Sequence, residues 1–378
     1  MTTKATTDKR TRTGSGTKSQ RKLFAALDLH KAHSVLGSMT ASGEFLGTAR
    51  FPTREEFLVR HVLELPSRAV HLTMEAGPMA RWAAGVLRPH CREVVVCEPR
   101  ENRLISTSTR KNDGFDVRQL CRIQRMGELK EVWTGSNQER EVFRYAVYDM
   151  LKLRDRARES KVIIKSRLSG WGLPTPAGRE VYGRAARGRW LDALPCDDAR
   201  SAIAPLYDLY DATKAAENAA RKEVKRLGRA FPEVGLLQGV PGVAFAGSHV
   251  FVAIVEDPAR FRTAKELWRF AALAVTSRSS DGKPLGYERL DRRGHRELKN
   301  LSYHAWRTAT RSTTRDNAVK QFYHESKART GGVTHARLAT QRKVLGTMWT
   351  LWRKGAEYSD EAFLQSPDQK RARAGAGA

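Results

Sequence analysis

Asp28, Glu75, Asp113 and Asp116 are the residues of this sequence whose types and spacing best suit chemistry. Asp28 interrupts the apolar run LFAALDLH, where a lone carboxylate is costly unless it binds a cation or accepts strong hydrogen bonds. Glu75 ends HLTME just before Ala76 and Gly77, the kind of strand end that presents side chains to a crevice in an α/β sheet. In STRKNDGFDVRQLCR, Asp113 and Asp116 are three residues apart and share one helical face, beside the cations Arg110 and Lys111. Four carboxylates converging on one point repel each other unless a divalent ion neutralises them. Mg2+, with Mn2+ as the alternative, favours such oxygen ligands. Two such ions activate a nucleophile and stabilise the leaving oxygen in phosphodiester chemistry. On this reading the acids hold metal, and the surrounding cations hold the phosphate strand. Ordinary roles stay open: Asp113 can cap its helix, a strand-end glutamate is commonly a surface residue, and many solvated helices carry a DxxD pair. His30 and His33 raise the question of zinc, but no cysteine or glutamate motif accompanies them, and they read as turn or surface histidines.

The rest of the composition points the same way. The chain has 378 residues, with 68 Lys and Arg against 41 Asp and Glu, a formal net charge of +27. That excess favours a polyanionic partner through counterion release and long-range attraction, with nucleic acid first. A charged surface that only solubilises is the alternative. The four cysteines, Cys91, Cys97, Cys121 and Cys196, form no CxxC pair and read as ordinary thiols in a reducing compartment. The sequence carries neither a signal-peptide core nor an apolar run long enough for a bilayer, so the expectation is a soluble, cytoplasmic, nucleoid-associated protein with no membrane partner.

Elements must position these residues. Residues 1–22 lack large apolar side chains after Met1 and read as a disordered basic arm. LFAALDLH, HSVLGSMTA and EFLGTARFP predict an antiparallel meander. TREEFLVRHVLEL follows as a helix, with Thr53 and Glu56 in capping-box spacing. AVHLTMEAG, PMARWAAGVLRPH and REVVVCEP then predict strand, helix and strand, and the pattern turns helical again after Arg100. Three strands followed by alternating helix and strand predict an α/β domain over 23–135, a mixed sheet with helices packed on it, similar to the ribonuclease H-like arrangement. From Glu139 to Leu168, Val142, Ala146, Met150 and Leu153 recur at helical spacing, and another helical block runs from Asp198 to Ala230. Residues 136–230 therefore read as a helical linker, either a coiled coil or an ordinary one. A second, mainly α-helical domain is expected over 231–351, with a mostly disordered tail over 352–378. Its landmark VPGVAFAG resembles a helix-hairpin-helix turn, whose backbone N–H groups, near Gly242, contact phosphate without reading sequence.

ALDLHKAHSVLGSM, TMEAG, VVVCEPRENRLI and KNDGFDVRQLCRIQRMGELKEVW resemble the RuvC-like N-terminal domain of the DEDD transposases of insertion sequences. GVPGVAFAGSHVFVAIVEDPARFRTAKELWRFAAL and SRSSDGKPLGYERLDRRGHRELKNLSYHAW resemble that family's serine-bearing second domain. The resemblance implies a transposase or site-specific recombinase that cuts and rejoins donor and target DNA. Carried over, Asp28, Glu75, Asp113 and Asp116 bind Mg2+, and a serine attacks the scissile phosphate to leave a phosphoserine link. It further implies a structured noncoding guide (bridge) RNA and a homo-oligomer, dimer or tetramer, with composite sites. The family commonly follows its serine directly with glycine, whereas this chain reads Ser279, Ser280, Asp281, Gly282. Aligning Lys283 with the family's basic position selects Ser280, with Ser279 in reserve, and MEAGP shifts the glycine after Glu75. A serine needs a base, a metal or a charged environment to attack phosphorus. Lys283, Arg289, Arg292, Arg293 and Arg296 are candidate phosphate clamps, a basic solvated helix being the alternative. Trp268, Tyr287, Tyr303 and Trp306 either stack on bases or fill the core, and the core is the preferred reading. Competing functions are a RuvC-like endonuclease or junction resolvase that uses water, a DNA invertase of the same family, and a basic scaffold without chemistry.

Overall fold

The computed structural model describes residues 21–98, 113–135, 137–175, 180–276, 279–280, 283–284, 289–291 and 293–365. It divides into two compact units, Met1–Ser136 and Asn137–Ala378.

The first unit is built on a five-stranded mixed sheet. β1 (Leu23–Leu29), β2 (His33–Thr40) and β3 (Phe45–Pro52) form the expected antiparallel meander. β4 (Val70–Glu75) lies parallel to β1, β5 (Glu93–Cys97) lies parallel to β4, and the spatial order is β3-β2-β1-β4-β5. Helices α1 (Glu55–Glu64) and α2 (Ala80–Leu87) cover one face and α3 (Asp113–Met126) the other. Alternation along β1 serves both layers. Leu23, Ala25 and Leu27 pack with Leu58, Val62, Ala83 and Leu87, while Phe24 and Ala26 pack with Val117, Leu120 and Cys121. A strand covered on both faces reads as a continuous apolar run, which is why LFAAL carries no polar alternation. Gly37 lets α3 approach closely, since a Cβ there would lie 2.9 Å from Val117 Cγ2. Burial pushes the thiols of Cys91 and Cys121 up to about 12, so neither presents a thiolate at neutral pH. The capping box expected at α1 is not made. Its N-cap is Arg54, and the Thr53 hydroxyl instead bonds the Ser34 hydroxyl at 2.7 Å and donates to the His30 carbonyl at 2.8 Å. Thr53 ties the β1–β2 turn to the end of β3.

The second unit begins with an antiparallel helical hairpin. α4 (Gln138–Gly170), N-capped by Asn137, packs along α6 (Asp197–Leu227), with the short helix α5 (Arg184–Asp192) between them in sequence. Of the expected stripe, Met150 is buried and Ala146 packs against the core, but its first residue is not buried. Val142 is exposed, and the buried positions Phe143, Met150, Ala157 and Ile164 recur every seven residues. Recurrence every seven residues lines up one face of a helix whose Lys and Arg content hides the pattern. At the distal end Ile164 and Leu168 meet Ile203 and Tyr207. At the proximal end Phe143, Val147, Met150, Leu151 and Val224 enter the core of the helices that follow. The segment expected as a separate linker thus shares a core with the second domain.

That core surrounds α8 (Phe245–Val255), which is buried on nearly all sides and correspondingly apolar. α7 (Pro232–Leu237), α9 (Ala264–Phe270), α10 (Arg296–Ala309), α11 (Ala318–Thr330) and α12 (Val333–Lys354) enclose it. Residues 352–365, expected in the tail, are structured. α12 runs to Lys354, and α13 (Asp360–Leu364), N-capped by Ser359, buries Phe363 in the core. Phe363 is the fully buried anchor, with Ala356, Tyr358 and Leu364 packing beside it, and their irregular spacing gives no periodic signal. Among the described residues no helix is long and apolar enough to cross a membrane.

Candidate active site

Two of the four proposed acids, Asp28 and Glu75, are brought to one edge of the sheet by register. Asp28 pairs with Val35, and Val35 packs in the layer under α3, so Asp28 faces α3. Glu75 pairs with Cys97, which lies in the same layer, and Leu27 pairs with Met74. Asp28 and Glu75 are therefore neighbours on one face, at the C-terminal ends of adjacent parallel strands. The direction of α3 follows from its contacts: Arg125 lies by Gly43, the Cys121 Sγ is 3.9 Å from the Phe24 carbonyl, and Val117 lies over Gly37. From Arg125 back to Val117 the helix advances along β1 toward Asp28, so its first turn, with Asp113 and Asp116, overlies the strand ends. Asp116 is half-buried, with Oδ1 shielded from water. The side chain of Asp113 lies outside the described residues, as do Arg110 and Lys111.

Asp28 is not in mid-strand, as the apolar run suggested, but is the penultimate residue of β1, with 28% of its side chain exposed. Its Oδ2 accepts a hydrogen bond from His30 Nε2 at 3.0 Å. The His30 and His33 rings lie 5.0 Å apart, and Arg50 donates to His33 Nε2 at 2.9 Å. The histidines, read from sequence as turn or surface residues, lie in a row between Asp28 and Arg50, His30 exposed and His33 half-buried. The readable signal was spacing: residues i and i+2 at a strand end share a face. Among the described residues, no three His, Cys, Asp or Glu side chains gather closely enough to hold a metal ion. The donor chemistry at this edge nevertheless fits Mg2+, since Asp28, Glu75 and Asp116 offer only carboxylate oxygens.

The serine segment is a hairpin. β6 (Val275–Thr276) pairs with β9 (Arg289–Leu290), and β7 (Ser279–Ser280) pairs with β8 (Lys283–Pro284), with Ser280 directly opposite Lys283. Between them stand Asp281 and Gly282, a dipeptide that favours two-residue hairpin turns, in positions outside the described residues. The side chains of Ser279, Ser280 and Lys283, together with Tyr287 and Arg292, are also outside them. The hairpin base is fixed to the core. The Asp291 amide donates to the Ala274 carbonyl at 2.8 Å and the His295 amide to the Phe270 carbonyl at 2.6 Å. Tyr148 from α4 meets His295 Nε2 at 2.6 Å. Burial holds His295 below the usual histidine range, helped by Arg260 and Arg144 and opposed by Glu297, so it is a neutral structural pin. Arg289, Arg293 and Arg296 are exposed around this base, Arg293 lying 3.6 Å from Asp291.

The aromatic candidates divide. Trp268 packs on the core and donates to the Arg342 carbonyl at 2.9 Å. Tyr303 and Trp306 lie outside the core cluster, half-buried in a row that continues to Tyr323, with ring centroids 5.5 Å apart at each step. Gly242 has φ +84°, and a Cβ there would lie 2.1 Å from the Ala305 carbonyl oxygen. The turn between α7 and α8 is thereby pressed against α10, which accounts for its glycine.

Residues 234–324 match the model of the transposase IS116/IS110/IS902 family. The matched stretch runs from α7 into α11 and contains the Gly242 turn and the Ser280 hairpin. A protein of Streptomyces coelicolor described as the insertion element IS110 uncharacterized 43.6 kDa protein is 29% identical over 140 residues. Both matches name one group. Over these stretches the chain is similar to transposases of the IS110 group. The alignment with the Streptomyces protein covers 37% of this chain and about a third, 34%, of that relative.

Proposed function

We propose that this chain is the transposase of an IS110-type insertion element, which breaks and rejoins DNA strands with an acidic sheet edge and a serine. The observation that carries the proposal is the co-placement of Asp28 and Glu75 under the first turn of α3, in a chain whose residues 234–324 match the transposase family. The strand order β3-β2-β1-β4-β5, with an antiparallel meander followed by parallel strands, supports the ribonuclease H-like reading of the first unit. Asp28, Glu75, Asp113 and Asp116 would hold Mg2+ or Mn2+, which when bound supplies Lewis-acid stabilisation to the phosphate oxygens. Ser280 Oγ attacks the scissile phosphorus, a DNA hydroxyl leaves, and the strand stays joined to the protein through a phosphoserine until it is transferred. Lys283, Arg289, Arg292, Arg293 and Arg296 steady the phosphate, since guanidinium groups pair bidentately with its oxygens. Arg110, Lys111 and the Gly242 turn are assigned to the nucleic-acid path on the same reading. Guidance by a structured RNA and assembly as a dimer or tetramer belong to the proposal through the family resemblance.

The test is cleavage of a DNA carrying the element's ends by the full chain with its RNA and Mg2+. Ser280→Ala should abolish the covalent protein–DNA adduct seen on denaturing gels, while Ser279→Ala keeps it. Asp28→Asn should keep DNA affinity and stop strand breakage. Breakage without an adduct in Ser280→Ala would favour the water-using nuclease, and breakage in Asp28→Asn would remove the metal assignment.

A further inference from the structure

The second unit carries a cationic groove that the proposed chemistry does not use. Asn218, Arg221, Lys222 and Lys225 of α6 line it with Phe245, the first residue of α8, and its volume is about 520 Å³. The spacing i, i+3, i+4, i+7 places the four polar residues on one stripe of α6, and all four are exposed. Neighbouring acids are already engaged. Glu217 pairs with Lys214 at 2.6 Å and Glu223 with Arg226 at 2.5 Å. Among the described residues no carboxylate comes within 4.0 Å of Arg221, Lys222 or Lys225, so three full positive charges face the groove uncompensated. The aromatic wall is held in place. The Arg221 guanidinium lies 4.4 Å from the Phe245 ring centroid, and the Phe245 ring lies 4.0 Å from that of His249. His249 is itself fixed by donation from Nδ1 to the Phe245 carbonyl at 2.7 Å.

We infer that this groove binds the sugar-phosphate backbone of a single-stranded nucleic acid, with a base against the Arg221–Phe245 pair. Uncompensated cations that track a backbone beside an aromatic ring are the construction of single-strand sites. The volume suits a nucleotide-sized segment, within the range of roughly 300–1,000 Å³ usual for enclosed ligands. The inference goes beyond the proposed function, and its test reads binding rather than strand cleavage, so the two can fail separately.

Binding of the full chain to fluorescent oligo(dT), oligo(rU) and a DNA duplex is measured by anisotropy across a salt series. For the triple variant Arg221→Gln, Lys222→Gln, Lys225→Gln, three lost phosphate contacts should lower the salt slope on single strands by about 2, at about 0.7 per contact. Between about 50 and 200 mM salt the wild type should therefore lose about 20-fold more affinity than the variant. Equal effects on oligo(dT) and oligo(rU) identify the backbone as the ligand, and an effect on oligo(rU) alone identifies RNA. Either supports the inference. An unchanged slope on both single strands, or a change confined to the duplex, overturns it. Should the triple variant unfold, Lys222→Gln with Lys225→Gln serves instead, with an expected slope change of about 1.4.

Discussion

Replacing Gly242 with alanine measures how tightly the α7–α8 turn is pressed onto α10. Two costs are visible in the geometry. A Cβ at this position would stand 2.1 Å from the Ala305 carbonyl oxygen and 2.9 Å from its carbon, backbone atoms that cannot swing aside as a side chain would. Moving them is an overpacking event of about 1–3 kcal/mol. The positive φ of +84° adds about 1–2 kcal/mol for an L-residue. A destabilisation of about 3 kcal/mol follows, and for a unit of this size each kcal/mol lowers Tm by about 2–4 °C, giving about 6–12 °C. Gly331→Ala is the internal control. It shares a positive φ, +67°, at the end of α11, but nothing lies within 4 Å of its Cβ position, so only the backbone strain of about 1 kcal/mol is expected. Both variants are compared with the wild type by calorimetry or by circular dichroism melts. Equal shifts for the two glycines would refute the close approach, as would a Gly242→Ala protein that melts normally. A normal melt combined with weakened DNA binding would move Gly242 from packing to phosphate contact.

The remaining predictions concern the second unit's buried charges. Arg140 meets Glu233 at 2.8 Å, and Glu233 is buried while Arg140 keeps 27% of its side chain in solvent and lies over Phe231 and Trp352. Glu233→Ala should therefore cost about 2 kcal/mol, less than the roughly 3–5 of a fully buried broken pair, read as a shifted urea midpoint; no shift would show the pair to be idle. His295 is held below its ordinary pKa of about 6.5, so the unfolded chain takes up its proton first as pH falls. Its contribution to stability is present above that value and lost as pH drops through it toward the folded pKa. Urea melts from pH 8 to pH 5 should show a decline that His295→Gln flattens, and an equally steep decline in the variant would refute the assignment.

The local patterns of the first unit were legible because its strands are short, bounded by turn residues and covered in a regular way. The runs LFAALDL, HSVLGSMT and VHLTME each became the expected strand, and the helix between β3 and β4 formed where periodicity placed it. The acids at strand ends could be nominated from sequence alone, since a carboxylate in an apolar run is costly wherever it falls. Tertiary structure decided the rest. Thr53 had capping-box spacing, but its hydroxyl is taken by Ser34 and His30, residues brought near only when the meander closes. The buried line of α4 shares Met150 with the expected stripe but takes Phe143 in place of exposed Val142, because the partner helix selects the face. Asp28 and His30 are two residues apart in the chain, whereas Asp28 and Glu75 become neighbours only through parallel pairing of β1 with β4. Likewise the cations of α6 look like an ordinary solvated stripe until Phe245 is folded against them. The sequence alone determined which side chains can carry charge, bury or turn. Which of them meet depended on register and helix direction, because contacts between residues far apart in the chain are set by the packing of whole faces, a property no short window of sequence contains.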